Sequence, residues 1–208
     1  MANFPERYKA GLLSALETVD LSKVQQAIEV LSEARDKERH IFTCGNGGSG
    51  STASHFVCDM IKGASFGRQR RFRMMALTDS VPTLTAYSND VNYDCVFVEQ
   101  LKNFACPCDV VMAFSGSGNS PNVLHAVEYA NSIGCHTIAF TGRDGGKLGA
   151  LAQLNIQVAH SHMGHIEDGH LMVMHMIAYY FMDAEPLKAS PPLVKDSEPA
   201  QPHSRPGN

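Results

Sequence analysis

Twice in this chain an apolar run that reads as a buried strand stops at a turn of small residues and passes directly into a helix-forming segment. The first unit is His40-Ile41-Phe42-Thr43-Cys44, then Gly45-Asn46-Gly47-Gly48-Ser49-Gly50, then a helical stretch to Lys62. The second is Asp109–Phe114, then Ser115-Gly116-Ser117-Gly118-Asn119-Ser120, then a helix opened by Pro121. A strand without polar alternation must be covered on both faces, which is the habit of a parallel sheet. A strand that turns into a helix through glycine and serine presents bare backbone N–H groups at the helix N-terminus, where an anion is favoured. Pro121 suits a first helical turn because no donor is lost there.

The same alternation runs through the rest of the chain. Strands are expected at His40–Cys44, Arg73–Leu77, Asp109–Phe114, His136–Phe140 and Asn155–Val158. Helices are expected at Gly50–Lys62, Pro82–Ser88, Tyr93–Phe104, Ser120–Ile133, Lys147–Leu151 and Ile166–Phe181. Two further helices open the chain, Glu6–Thr18 and Leu21–Arg35, the second capped by Asp20. The expected fold is a three-layer α/β/α sandwich on a five-stranded parallel sheet. The opening helices are too few for a domain of their own and are read as an oligomerisation extension of a single domain, residues 1–184. From Glu185 the composition turns Pro-rich and polar, and 185–208 is read as a disordered tail.

Composition removes several classes of function. With 17 basic and 21 acidic residues the formal charge is −4, against nucleic acid as the main partner. The basic run Arg68-Gln69-Arg70-Arg71-Phe72-Arg73 reads first as a solvated loop before a strand, with an anion patch as the rival. No membrane-length apolar run and no signal-peptide h-region is present, so a cytoplasmic protein with reduced thiols is expected. Cys106-Pro107-Cys108 lacks the second Cys or His pair of a zinc finger.

Neither turn is a Walker loop, since no Gly-Lys-Ser/Thr follows, and neither carries the dinucleotide pattern. The second turn offers the hydroxyls of Ser115, Ser117 and Ser120 beside free N–H groups, enough for a phosphate monoester without lysine. The first turn aims a helix on which His55 and Asp59, four apart, share one face.

Taken together, the segments CGNGGSGSTASHFVCDM, AYSND, FSGSGNSPNV, TGRDGG and HIEDGHLMVMH resemble the sugar isomerase (SIS) domain family over about residues 1–183, and within it the phosphoheptose isomerase group. The resemblance implies a flavodoxin-like sandwich, a homotetramer with sites between subunits, and conversion of sedoheptulose 7-phosphate to a heptose 7-phosphate. It implies a phosphate site at Ser115, Gly116, Ser117 and Ser120, and sugar contacts at Asn46, Gly47, Gly48, Asn89 and Asp90. It implies zinc and catalytic positions at His55, Asp59, Glu167 and His175. Two of these depart from the family's pattern: Asp59 stands where glutamate is usual, and Glu167 where glutamine is usual. Some members of the family are instead regulators or partners of a replication initiator, with no isomerase activity, which is the alternative reading.

Ketose–aldose isomerisation moves a proton between neighbouring carbons through an enediol and needs a base, an acid and a means of stabilising an oxyanion. Asp59 or Glu167 is the candidate base, His175 the acid and His55 a zinc ligand. Glu167 and His175, eight apart, differ by about 80° in heading on a helix. Asp168 aligns better with His175 and is a rival ligand, as is His170. A helical histidine is more often a satisfied polar group than a ligand, and His160, His162 and His165 fall under that reading.

Overall fold

A computed structural model of the chain describes residues 3–184; the segment 185–208, read above as a disordered tail, lies outside them. The first helix, α1 (Phe4–Glu17), opens at a capping box: the Asn3 side chain accepts from the Glu6 N–H at 3.0 Å, and the Glu6 carboxylate accepts from the Asn3 N–H at 2.9 Å. The second, α2 (Leu21–Asp36), is capped as expected by Asp20, which accepts from the Ser22 N–H at 2.9 Å.

Five strands follow: β1 (His40–Gly45), β2 (Arg73–Ala76), β3 (Val110–Ser115), β4 (His136–Gly142) and β5 (Leu154–Val158). They form one sheet in the order β2-β1-β3-β4-β5, every pair parallel. The remaining helices are α3 (Gly47–Cys58), α4 (Val81–Asp90), α5 (Val98–Phe104), α6 (Pro121–Ser132), α7 (Gly146–Leu151) and α8 (Met163–Ala184).

Neighbouring residues of a strand point to opposite faces, and each central strand feeds two cores. From β1, Ile41 joins a core with Leu31 of α2, Phe56 of α3 and Phe181 of α8. Phe42 joins the other, with Leu101 of α5, Val123 and Val127 of α6 and Leu148 of α7. This is why the strands read as unbroken apolar runs. It also makes three layers, as expected. The rings of Phe114 and Phe140, on adjacent strands, stack at 4.4 Å.

The strand order reverses between β1 and β3. Their carboxyl ends lie side by side, with Gly45 in register with Phe114. From these ends α3 departs to one face of the sheet and α6 to the other, which opens a crevice at the switch point. The reciprocal amide pair Asn46–Asn122 spans it, each side-chain N–H₂ donating to the other's oxygen at 2.9 Å.

Some expectations need correction. The single helix Tyr93–Phe104 is a 3₁₀ turn at Tyr93–Cys95 followed by α5, because the Asn92 side chain accepts from the Cys95 N–H and closes a local turn. The helix expected to run to Lys62 widens at Asp59–Gly63 into a π turn, in which the Ala64 N–H reaches the Asp59 carbonyl at 2.9 Å. Such turns recur at functional positions. Inward-facing residues of α1 and α2, among them Ala15, Val24, Ala27 and Leu31, are buried within the chain itself, while Phe4, Leu13 and Leu21 face outward. The basic run is tied into the chain: Arg68 donates to the Gly63 carbonyl at 2.8 Å and to the Met182 carbonyl, and Arg70 pairs with Asp36 at 2.7 Å. Among the described residues no helix is long and apolar enough to cross a membrane.

Candidate active site

On α3, His55 and Asp59 face α8 and meet His175 there. The Asp59 Oδ2 lies 3.5 Å from His55 Nε2 and 3.7 Å from His175 Nε2. The two imidazoles stand edge to face, ring centres 5.1 Å apart. One ligand atom from each residue falls within 4.8 Å of the others, and among the described residues this is the one such group of His, Cys, Asp or Glu. Two imidazoles and one carboxylate match the three-protein-ligand sets of catalytic zinc, which leave a position open. Exposure of His55 and part-exposure of Asp59 and His175 leave the group reachable from solvent.

Glu167 stands apart from this group. Its carboxylate rests over the first turn of α3: a Cβ placed on Gly48 would meet both Glu167 oxygens at 2.8 Å. A residue with a side chain at position 48 would displace it. The carboxylate lines a cavity with Asn46, Ser115, Gly116, Ser117 and Ser120, so the serine turn and Glu167 share one chamber. Within the serine turn, the Ser115 hydroxyl accepts from the Gly118 N–H at 3.1 Å and the Ser117 hydroxyl from the Asn119 N–H at 3.2 Å. Gly118 has φ +64°, and a Cβ there would fall 2.2 Å from the Gly145 carbonyl oxygen. Only glycine lets the turn pack this closely on the loop after β4.

The first turn borders a second cavity of about 520 Å³, lined by Asn46, Gly47, Ser51, Ser54, Thr78 and Tyr93 among others. Asn46 is held on two sides, by Asn122 and by the Tyr93 hydroxyl, which donates to its Oδ1 at 2.8 Å. Asn89 and Asp90 end α4, exposed and hydrogen-bonded to each other at 2.8 Å, and are not among the residues lining these chambers.

The rival ligands are otherwise engaged. Asp168 accepts from the Tyr8 hydroxyl of α1 at 2.7 Å, which fixes α1 against α8. The hydrogen bond that the phenol donates to this carboxylate raises Tyr8 above its ordinary value. His170 is buried, with Nε2 at 2.9 Å from the Thr141 carbonyl, and burial pushes its imidazole down to about 4. It is a satisfied core histidine. His160, His162 and His165 pack as rings around Tyr8 and one another. The thiols of Cys44 and Cys135 are pushed up to about 12 and about 11, burial being the main cause, and stay protonated. Cys106 and Cys108 are exposed and join no metal-capable group among the described residues.

Sequence reasoning missed Tyr93, Asn122 and Tyr8. Asn122 lies inside the quoted segment FSGSGNSPNV but reads there as an ordinary helix start; nothing local marks the other two.

A family model described as SIS domain matches residues 6–142. The chain belongs to the SIS domain family. Within it the chain falls in the phosphoheptose isomerase group: it is 35% identical over 167 residues to the phosphoheptose isomerase of Citrifermentans bemidjiense, covering 80% of this chain and 86% of that one. The structure of phosphoheptose isomerase from Neisseria gonorrhoeae superposes with a TM-score of 0.77 at 31% identity, covering 86% of this chain and 98% of that one. A phosphoheptose isomerase from Francisella tularensis gives a TM-score of 0.79 at 24% identity, over 87% and 96% of the two chains, and at that identity speaks for the fold alone.

Proposed function

We propose that the chain is a ketose–aldose isomerase that converts sedoheptulose 7-phosphate to a heptose 7-phosphate. The observation that carries this is the placement of two chemistries along α8. The serine turn and Glu167 stand toward its beginning, the His55–Asp59–His175 group further on. Glu167 and His175 are eight residues apart, about 12 Å along a helix axis. A phosphate seated in the serine turn therefore leaves the reacting carbons of an extended seven-carbon sugar at the His–Asp–His group; a triose phosphate would fall short.

At that group Asp59 takes a proton from C1 of the ketose, exchanges it with solvent and delivers a proton to C2, while the C2 oxygen gains a proton and the C1 hydroxyl loses one. The two flanking imidazoles orient the Asp59 carboxylate. His55, Asp59 and His175 would hold zinc, which would supply Lewis acidity to polarise the carbonyl; without it, His175 would be the remaining proton donor to the carbonyl oxygen, and turnover would be slower. Glu167, in the phosphate chamber, receives the sugar's middle hydroxyls, with Gly47 and Gly48 leaving room beside it. Asn46 acts by holding the two turns together. Asn89 and Asp90, exposed at the end of α4, would contact the sugar from outside these chambers. The reading of the chain as a regulator or initiator partner carries less, because the acid/base group is assembled and accessible.

We infer further a homotetramer built on the outward faces of α1 and α2, one domain over 1–184, and a cytoplasmic setting in keeping with six free cysteines. A thermal-shift series of phosphorylated sugars from three to seven carbons tests the substrate. Binding to the folded state alone raises the midpoint, and the seven-carbon phosphate is expected to raise it most. Equal shifts from triose and heptulose phosphates would contradict the assignment.

A further inference from the structure

The phosphate chamber holds hydroxyls and backbone N–H groups but, among the described residues lining it, no cation, and it holds the carboxylate of Glu167. A phosphate dianion beside a carboxylate in a partly enclosed site needs a compensating positive charge. Ser117 also lines a neighbouring cavity of about 650 Å³, and Arg143 lines that cavity with it, together with Asn119, Asp144, His160 and Ser161.

Arg143 directly follows β4, in the segment TGRDGG. Its backbone is left-handed, φ +52°, a conformation that costs energy for any residue with a Cβ and persists where the surroundings impose it. The surroundings here are tight. Gly118 of the serine turn abuts the Gly145 carbonyl. The Leu148 N–H donates to the Gly118 carbonyl at 2.9 Å, and the Lys147 N–H to Asn119 Oδ1 at 3.1 Å. The Gln157 side chain donates to the Arg143 carbonyl at 2.7 Å. The loop bearing Arg143 is thus bolted to the serine turn, yet among the described residues no ion pair engages the Arg143 guanidinium. The acid beside it, Asp144, accepts from the Gly146 N–H at 3.1 Å. His160 accepts the His162 N–H on Nδ1 at 3.0 Å, so the tautomer that makes this bond carries its proton on Nε2.

We propose that Arg143 supplies the positive charge of the phosphate site, reaching the substrate phosphate from the Ser117 side and selecting for dianionic phosphate esters. The proposal rests on the isomerase reading for its substrate but not for its phosphate chemistry, and the two are tested separately. Inorganic phosphate serves as the probe of the site, titrated against the full chain at constant ionic strength, with binding followed by calorimetry and by thermal shift. Arg143→Gln is expected to weaken phosphate binding about tenfold, and Arg143→Lys to weaken it less, because the point charge remains while the planar fork is lost. In turnover of sedoheptulose 7-phosphate, Arg143→Gln should raise KM by a similar factor with kcat within about twofold, the pattern of lost uniform binding. Salt should weaken phosphate binding by the wild type more steeply than by Arg143→Gln. Unchanged phosphate affinity in a folded Arg143→Gln protein, or no phosphate binding by the wild type, would overturn the proposal whether or not the chain turns over a heptulose. Phosphate binding that depends on Arg143 in a protein without isomerase activity would uphold it while removing the isomerase reading.

Discussion

At the scale of single residues, the two carboxylates of the site separate by position. Asp59 lies between the imidazoles of His55 and His175, and Glu167 lies with the phosphate loop. Removing a group that moves the proton typically costs 10²–10⁴-fold in rate. Asp59→Asn is therefore expected to lower kcat by about that much and to strip bound metal, with the unfolding midpoints of the two metal-free proteins nearly equal because the side chain is only part-buried. Glu167→Gln installs the residue usual in the family and should keep turnover within about tenfold; kinetics and metal content by mass spectrometry on both variants check this. A collapse in Glu167→Gln with full activity in Asp59→Asn would exchange the two roles.

His170 predicts a dependence on pH. Its folded value of about 4 lies below the ordinary value of 6.5, and burial is the cause. The neutral form is favoured by folding, so its contribution is complete above about pH 6.5 and is lost as pH falls toward 4. The full difference is on the order of 3 kcal/mol. Thermal melts between pH 7 and pH 4 should show the loss, and His170→Gln, which keeps a donor for the Thr141 carbonyl, should flatten it. A wild-type melt that is level across that window would contradict the burial argument.

At the scale of elements, the strand-to-helix turns depend on close approaches that only a missing Cβ permits. Gly118→Ala places a methyl against the Gly145 carbonyl at a positive φ. It should destabilise the protein by about 1–3 kcal/mol and loosen phosphate binding, both readable in one denaturation and titration series. The sheet, its parallel sense and both turns were legible because strands buried on two faces carry no polar alternation, as Ile41 and Phe42 illustrate by entering different cores. The break before α5 was not, since the Asn92 cap competes locally with a helix that Val96, Phe97 and Leu101 otherwise permit. Nor was the contact of Tyr8 with Asp168, which joins residues 160 positions apart. Spacing along α8 favours Asp168 over Glu167 as a partner of His175 and leaves His170 a further candidate; only the packing of α1 and β4 against that helix shows both to be occupied.

At the scale of the whole molecule, the strand reversal between β1 and β3 decides where chemistry can occur. It sends α3 and α6 to opposite faces, leaves the serine turn at one side of the crevice, and lets α8 run from that turn to the His55–Asp59–His175 group. The tetramer proposed above leaves Phe4, Leu13 and Leu21, exposed on the isolated chain, inside an interface. Light scattering on the purified protein should give four times the mass of the 22.6 kDa chain, and a monomer with full activity would remove the interface from the account.

The most direct test of the central claim is the conversion of sedoheptulose 7-phosphate by the full chain, followed by NMR in D₂O with and without prior chelation and zinc restoration. The account predicts an aldoheptose 7-phosphate product with solvent deuterium incorporated at C2, activity that zinc restores, and activity lower by about 10²-fold or more in Asp59→Asn. No conversion by the zinc-loaded wild type, or equal conversion by Asp59→Asn, would contradict it.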